Sequence, residues 1–163
     1  MVSSSHAASF KIISPDFTHN NVIPKEFTCE GANKAPRLHW NGMPVNTKSL
    51  VLICDDPDAP AGTWVHWVVY NIPVSKTDLS YITDRSEKLA DGTLQGLNSW
   101  PHVGYDGPCP PKGHGVHHYH FKLYALDSLL SLKSKSTKQE VEAAMKNHVL
   151  AQTELVGLYE RKK

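Results

Sequence analysis

The chain has 163 residues, 40% of them apolar and 20% charged, with 17 Lys+Arg against 16 Asp+Glu. That length and balance suit one domain with a real core; they exclude an intrinsically disordered chain and lack the basic excess that general nucleic-acid binding requires. Ten His make the net charge depend strongly on pH, and 10 Gly with 11 Pro favour turns over long helices.

Met1 to Phe10 carry no Lys or Arg and no apolar run, so no signal peptide is read there. Phe10–Ile13 and Arg37–Trp40 are short strand candidates. Ser49–Asp55 is a β-branched and Leu run, and its Leu50–Cys54 core is the longest unbroken apolar stretch, far below the ~20 residues of a membrane span. Trp64–Ile72 is an aromatic and Val-rich strand bounded by Gly and Pro. Asp84–Ala90 is predicted as two helical turns stopped by Gly92, and Leu94–Leu97 as a short strand. His118–Leu126 alternates, with Tyr119, Phe121, Leu123 and Ala125 on one face. From Ser136, Thr137 and Glu140 form a capping box, and Val141, Ala144, Met145, His148 and Val149 repeat at helical spacing, predicting a helix to about Gln152. Leu155–Tyr159 closes the series as a strand. No repeat or linker divides residues 1–163, which read as one mainly β domain with a C-terminal-side α-helix and a short helix. Cys29, Cys54 and Cys109 are odd in number and lack a CxxC pair, which reads as reduced thiols in a cytoplasmic protein.

Two segments carry chemistry. Asp55-Asp56-Pro57-Asp58-Ala59-Pro60 ends a buried strand in a stiff turn with three carboxylates. It reads either as a solvated acidic turn or, given Trp64-Val65-His66-Trp67 nearby, as a carboxylate partner for a buried His66. The second segment, Gly104–Tyr119, has Gly or Pro at seven of its sixteen positions. The N–H groups of Gly104, Gly107, Gly113 and Gly115 can form an anion nest. His117 and Tyr119 share the face of Phe121, so they stand at the mouth of the core, either as donors to an oxyanion or as satisfied core-edge side chains. His117, His118 and His120 resemble a metal cluster, but no third ligand follows before Asp127, so no metal or other cofactor is called. A Cys109/His117 pair stays open as a nucleophile and base. The chain has no G-x-S-x-G elbow, P-loop or dinucleotide fingerprint, so no enzyme is called.

The stretches DDPDAPAGTWVHWVVYNIP (Asp55–Pro73) and GYDGPCPPKGHGVHHYHFKLYALD (Gly104–Asp127) resemble the phosphatidylethanolamine-binding protein family, specifically its bacterial and archaeal branch related to Raf kinase inhibitor protein. FTCEGANKAPRLHW (Phe27–Trp40) and ELVGLYER (Glu154–Arg161) are similar to the same branch. The resemblance implies a large central antiparallel sheet packed on a smaller sheet, and a small anion pocket. Its pocket residues would be Asp56, His66, His117 and Tyr119, with Cys109 and Pro110 as backbone rim and Asp58 and Trp64 in support. It implies a phosphate or phospholipid head group as ligand, a kinase or protease as protein target, and a homodimer. The family usually reads His-Arg-Tyr where this chain has His117-His118-Tyr119, which removes an Arg from a supporting salt bridge. Asn98-Ser99, followed by Trp100-Pro101, departs from the family's Asn-Asp step and implies a reshaped loop. An acid–base enzyme using the same Asp/His/Tyr group is the alternative.

Overall fold

The computed structural model of the protein describes residues 9–163; most of the Met1–Phe10 stretch, on which the signal-peptide reading rests, lies outside the described residues. Strand β4 (Ser49–Asp56) is buried along its whole length, which explains its unbroken apolar run. Leu50, Leu52 and Cys54 enter one core, and Val51 and Ile53 a second core on the opposite face. Antiparallel neighbours β5 (Trp64–Ile72) and β7 (His117–Leu126) flank it. The sheet continues through β6 (Leu94–Gln95) on one side and β8 (Val149–Tyr159) on the other. A two-residue strand, β2 (Asn21–Val22), adds a parallel pairing, against β8.

A smaller antiparallel pair, β1 (Lys11–Ile13) with β3 (His39–Asn41), supplies Ile12 and Trp40 to the first core. The second core lies under helix α1 (Lys138–Met145), which contributes Val141 and Met145. The expected large sheet on a smaller one is therefore present, and no helix among the described residues is long and apolar enough to cross a membrane.

Two helical expectations are corrected. Thr137 and Glu140 do close the capping box, but α1 stops at Met145. Asn147 adopts φ +70, His148 donates its N–H to the Met145 carbonyl, and Val149–Gln152 pair with β7 instead. A long antiparallel partner outcompetes helical periodicity there. Asp84–Ala90 is not a helix. The Gln95 amide donates to the carbonyls of Asp84 (3.2 Å) and Ser86 (2.8 Å), tying that segment flat against β6. The short helix lies elsewhere, as a 3-10 turn over Lys25–Phe27.

Candidate functional site

Successive side chains on a strand point to opposite faces, and Asp55 and Asp56 divide accordingly. The Asp55 carboxylate, 1% exposed as a side chain, accepts from Lys138 Nζ of α1 (2.8 Å) and Lys122 Nζ of β7 (3.3 Å). Asp56, on the other face, points at the start of β7: its Oδ2 lies 2.6 Å from His117 Nδ1, and its Oδ1 accepts the Asp58 N–H at 2.8 Å. Asp58 holds the neighbouring residue, accepting at one oxygen from the His118 N–H (2.8 Å) and from His118 Nδ1 (2.7 Å). Burial pushes the Asp58 carboxyl up, but the two His118 hydrogen bonds outweigh it and hold the group below the usual carboxylate range. His118, where the resemblance expects an Arg, thus still gives Asp58 a hydrogen-bonding side-chain partner.

His66 reaches the site through a β-bulge. Cys54 pairs with Trp67 and Asp55 with Val65, so His66 is the extra residue of β5. Without the bulge it would alternate with Trp67; with it, His66 turns to the Tyr119 face, ring centroids 5.1 Å apart. Its partner is not Asp56 but the Asp106 carbonyl, which accepts from Nδ1 at 2.6 Å, while the Asp106 N–H donates back to the His66 carbonyl. That bond fixes the tautomer and leaves Nε2 without a partner among the described residues. Burial pushes the His66 imidazole below its ordinary value, against the opposing pull of the Asp106 carbonyl and Asp56.

The Gly104–Tyr119 loop is fastened from several sides. Gly107 N–H donates to Asn33 Oδ1 (2.8 Å), and a Cβ there would sit 2.1 Å from the Phe27 carbonyl oxygen, so only Gly fits. Cys109 forms a disulfide with Cys29. This corrects the reading of three reduced thiols: an odd count hid one pair and one free, buried thiol, Cys54. It also removes the basis of the cytoplasmic expectation and the Cys109/His117 nucleophile pair, because a disulfide sulfur has no thiolate to offer.

Asp56, Trp64, His66, Cys109, Pro110, His117 and Tyr119 all line one cavity of about 320 Å³. Asp58 stands behind it, on His118. Tyr119 is 0% exposed and its hydroxyl has no hydrogen-bond partner; Trp64 Nε1 is likewise buried and unpartnered. Burial, then the Asp56 charge, pushes the Tyr119 phenol well above its ordinary value, so it stays a neutral donor. The rest of the wall is apolar, from Ala59, Pro60, Ala61 and Pro111.

Three residues at the site, Trp100, Asp106 and His114, were not among those expected there from the sequence. Trp100 packs edge-on against His66 (5.1 Å) and Trp64 (5.4 Å). Ser99 pins the reshaped loop that carries it, accepting from the Val65 N–H at 2.8 Å. Asp106 orients His66, and its own carboxylate gathers Arg85 (2.7 Å), Asn98 (2.7 Å) and His102 (3.0 Å). His114 Nδ1 lies 2.7 Å from His117 Nε2. The departure at Asn98-Ser99 was the available signal for Trp100; nothing in the sequence pointed to the other two.

The glycine nest does not form. None of Gly104, Gly107, Gly113 and Gly115 lines the cavity, and the Gly107 and Gly113 N–H groups are spent on Asn33 and on the Arg161 carbonyl. The three clustered histidines each take a different carboxylate: Asp56 for His117, Asp58 for His118, and Glu154 for His120 at 3.1 Å.

A family model described as phosphatidylethanolamine-binding protein matches residues 13–160. The chain is 50% identical over 151 residues to a UPF0098 protein of Pyrococcus horikoshii, covering 92% of this chain and 76% of that one. Among solved structures, Escherichia coli YbcL, a member of the mammalian PEBP family, superposes with a TM-score of 0.86 at 34% identity, covering 95% of this chain and all of the other. A PEBP homologue of Chlamydia trachomatis gives a TM-score of 0.84 at 36% identity over 94% of this chain and 99% of that one.

Proposed function

The chain belongs to the phosphatidylethanolamine-binding protein family, and from that premise we propose that its cavity binds phosphate or a phosphorylated head group such as phosphoethanolamine. The observation that carries this reading is the Tyr119 hydroxyl, a buried donor with no partner on the wall of an open cavity. Leaving such a group unpaired costs about 1–3 kcal/mol, which a ligand acceptor recovers. Trp64 Nε1 is a further donor on the same wall, and His66 Nε2, which carries the lone pair of the neutral ring, becomes a donor when that ring is protonated.

Asp56 sets the charge requirement. A carboxylate in the wall repels an anion unless a proton compensates it, so binding draws a proton onto His66. Each charge-assisted hydrogen bond then contributes about 1.5–3 kcal/mol. The cavity far exceeds one tetrahedral anion, since a water in bulk takes about 30 Å³, so the apolar collar has room for the body that carries the phosphate.

The same site would act on a kinase or protease by receiving a phosphorylated or acidic side chain of the target. Binding rather than catalysis is the reading because the lining offers no Ser, Thr or free thiol as nucleophile, and the phenol of Tyr119 holds its proton. Titration calorimetry with inorganic phosphate and phosphoethanolamine at pH 6 tests it. Saturable binding to the wild type, at least tenfold weaker in His117→Ala, is expected; an affinity unchanged by that substitution overturns the reading.

A further inference from the structure

We propose that His114 is a proton-linked cap on the anion site: it occupies His117 Nε2 in the resting protein and leaves when acid or an anion claims that nitrogen. The proposal rests on the anion-binding reading above and adds to it a residue that controls when His117 can donate.

The chain of contacts runs from a buried carboxylate to solvent: Asp56 Oδ2, 2.6 Å to His117 Nδ1, then His117 Nε2, 2.7 Å to His114 Nδ1. His117 is 1% exposed, whereas His114 belongs to an exposed loop. With the Asp56 carboxylate accepting from Nδ1–H, a neutral His117 has only a lone pair at Nε2, and His114 must supply the proton on the 2.7 Å contact. In that state Nε2 has no N–H to offer an oxyanion. An imidazolium carries N–H at both nitrogens. If both rings are charged, two N–H groups face each other across 2.7 Å, and the contact opens. His117 then presents Nε2–H, and His114 is free to move away.

The backbone allows that movement. His114 stands between Gly113 and Gly115, both left-handed (φ +75 and +97), and a Cβ at Gly115 would meet nothing within 4 Å. The surrounding charges are Asp56 and Asp58 from the end of β4 and its turn, His118 from β7, and Arg161 and Lys163 from the C-terminal segment against Gly113; the neutral Tyr119 ring stacks on His117. The two cations on the loop side favour departure of a charged His114, and the two carboxylates favour retention of a charged His117.

The test uses the full chain with inorganic phosphate, by calorimetry at pH 8 and pH 5.5, on wild type and His114→Ala. Losing a competing neutral hydrogen bond is worth about two- to tenfold in affinity. His114→Ala is therefore expected to bind about two- to tenfold more tightly at pH 8, with a smaller gap at pH 5.5, where acid competes with His114 for the same nitrogen. Equal or weaker binding by the variant at pH 8 overturns the cap. Ligand-free 15N chemical shifts of the His117 ring at pH 8 give a second readout, independent of phosphate. Nε2 is expected to move to the value of an unbonded nitrogen in His114→Ala, and an unmoved shift overturns the cap even if phosphate binds. A moved shift with no phosphate binding in either protein overturns the anion reading, and the role of the cap with it, leaving only the contact.

Discussion

Asp56 Oδ2 and His117 Nδ1 meet at 2.6 Å with 3% and 1% of these residues exposed, while beside them Asp58, in the turn after β4, and His118, next on β7, meet at 2.7 Å with about half of each side chain in solvent. Two acid–histidine pairs of equal geometry therefore differ almost entirely in burial. Removing one member of a buried pair strands the other, at a cost of about 3 kcal/mol or more, whereas an exposed pair is worth roughly 0–1 kcal/mol. Asp56→Ala is expected to lower the urea midpoint clearly and Asp58→Ala hardly at all. Equal losses in the two variants would contradict the burial argument.

The pH dependence follows from His66. Burial lowers its folded value below the ordinary 6.5, so the unfolded chain binds the proton more readily. Free of ligand, the folded state loses stability as pH falls below 6.5 and continues to lose it down to the folded value. A bound anion favours the charged ring and opposes that loss, so phosphate affinity rises from pH 8 to pH 6 and beyond. Thermal melts with and without 10 mM phosphate are expected to diverge on the acid side. His66→Gln is expected to reduce the divergence, and parallel curves in the wild type would rule the linkage out.

Tyr119→Phe separates ligand binding from folding. The hydroxyl makes no hydrogen bond in the free protein, so its removal relieves a desolvated donor and is expected to leave stability unchanged or raise it by up to about 1 kcal/mol. Phosphate affinity is expected to fall tenfold or more, since a hydrogen bond to a charged group is lost. A destabilised variant with intact affinity would show instead that the hydroxyl serves the core.

The Cys29–Cys109 disulfide joins residues 80 apart in the chain and ends on the cavity wall. Chain entropy assigns a loop of that size about 4 kcal/mol, and Pro108, Pro110 and Pro111 leave the rim few N–H groups to hold it otherwise. Cys29→Ser with Cys109→Ser is expected to lower Tm by roughly 10 °C and to weaken phosphate binding through a loosened rim. Unchanged affinity in a stably folded double variant would mean that the Arg161 Nε bond to the Pro110 carbonyl, at 2.7 Å, is sufficient.

Much of this was legible before any coordinates. The alternation of Tyr119, Phe121, Leu123 and Ala125 identified the buried face of β7, and the carboxylate turn closing Ser49–Asp55 put Asp56 at the end of its neighbour. Other features depend on long-range events that local pattern does not encode. The bulge that turns His66 towards Tyr119 arises from how β5 pairs with β4. The Asp106 carbonyl that takes His66 Nδ1 lies 40 residues away, on a loop. Cys29 and Cys109 have no spacing signature, so an odd cysteine count suggested free thiols where one pair closes. Helical spacing after Met145 lost to ten residue pairs between β8 and β7, whose benefit appears only once the sheet exists.

A crystal of the wild-type protein soaked in phosphate at pH 6 tests the central claim most directly. The expected result is tetrahedral density in the cavity, with oxygens at hydrogen-bond distance from the Tyr119 hydroxyl and His66 Nε2. Only ordered water at those two atoms, with phosphate saturating the crystal, would contradict it.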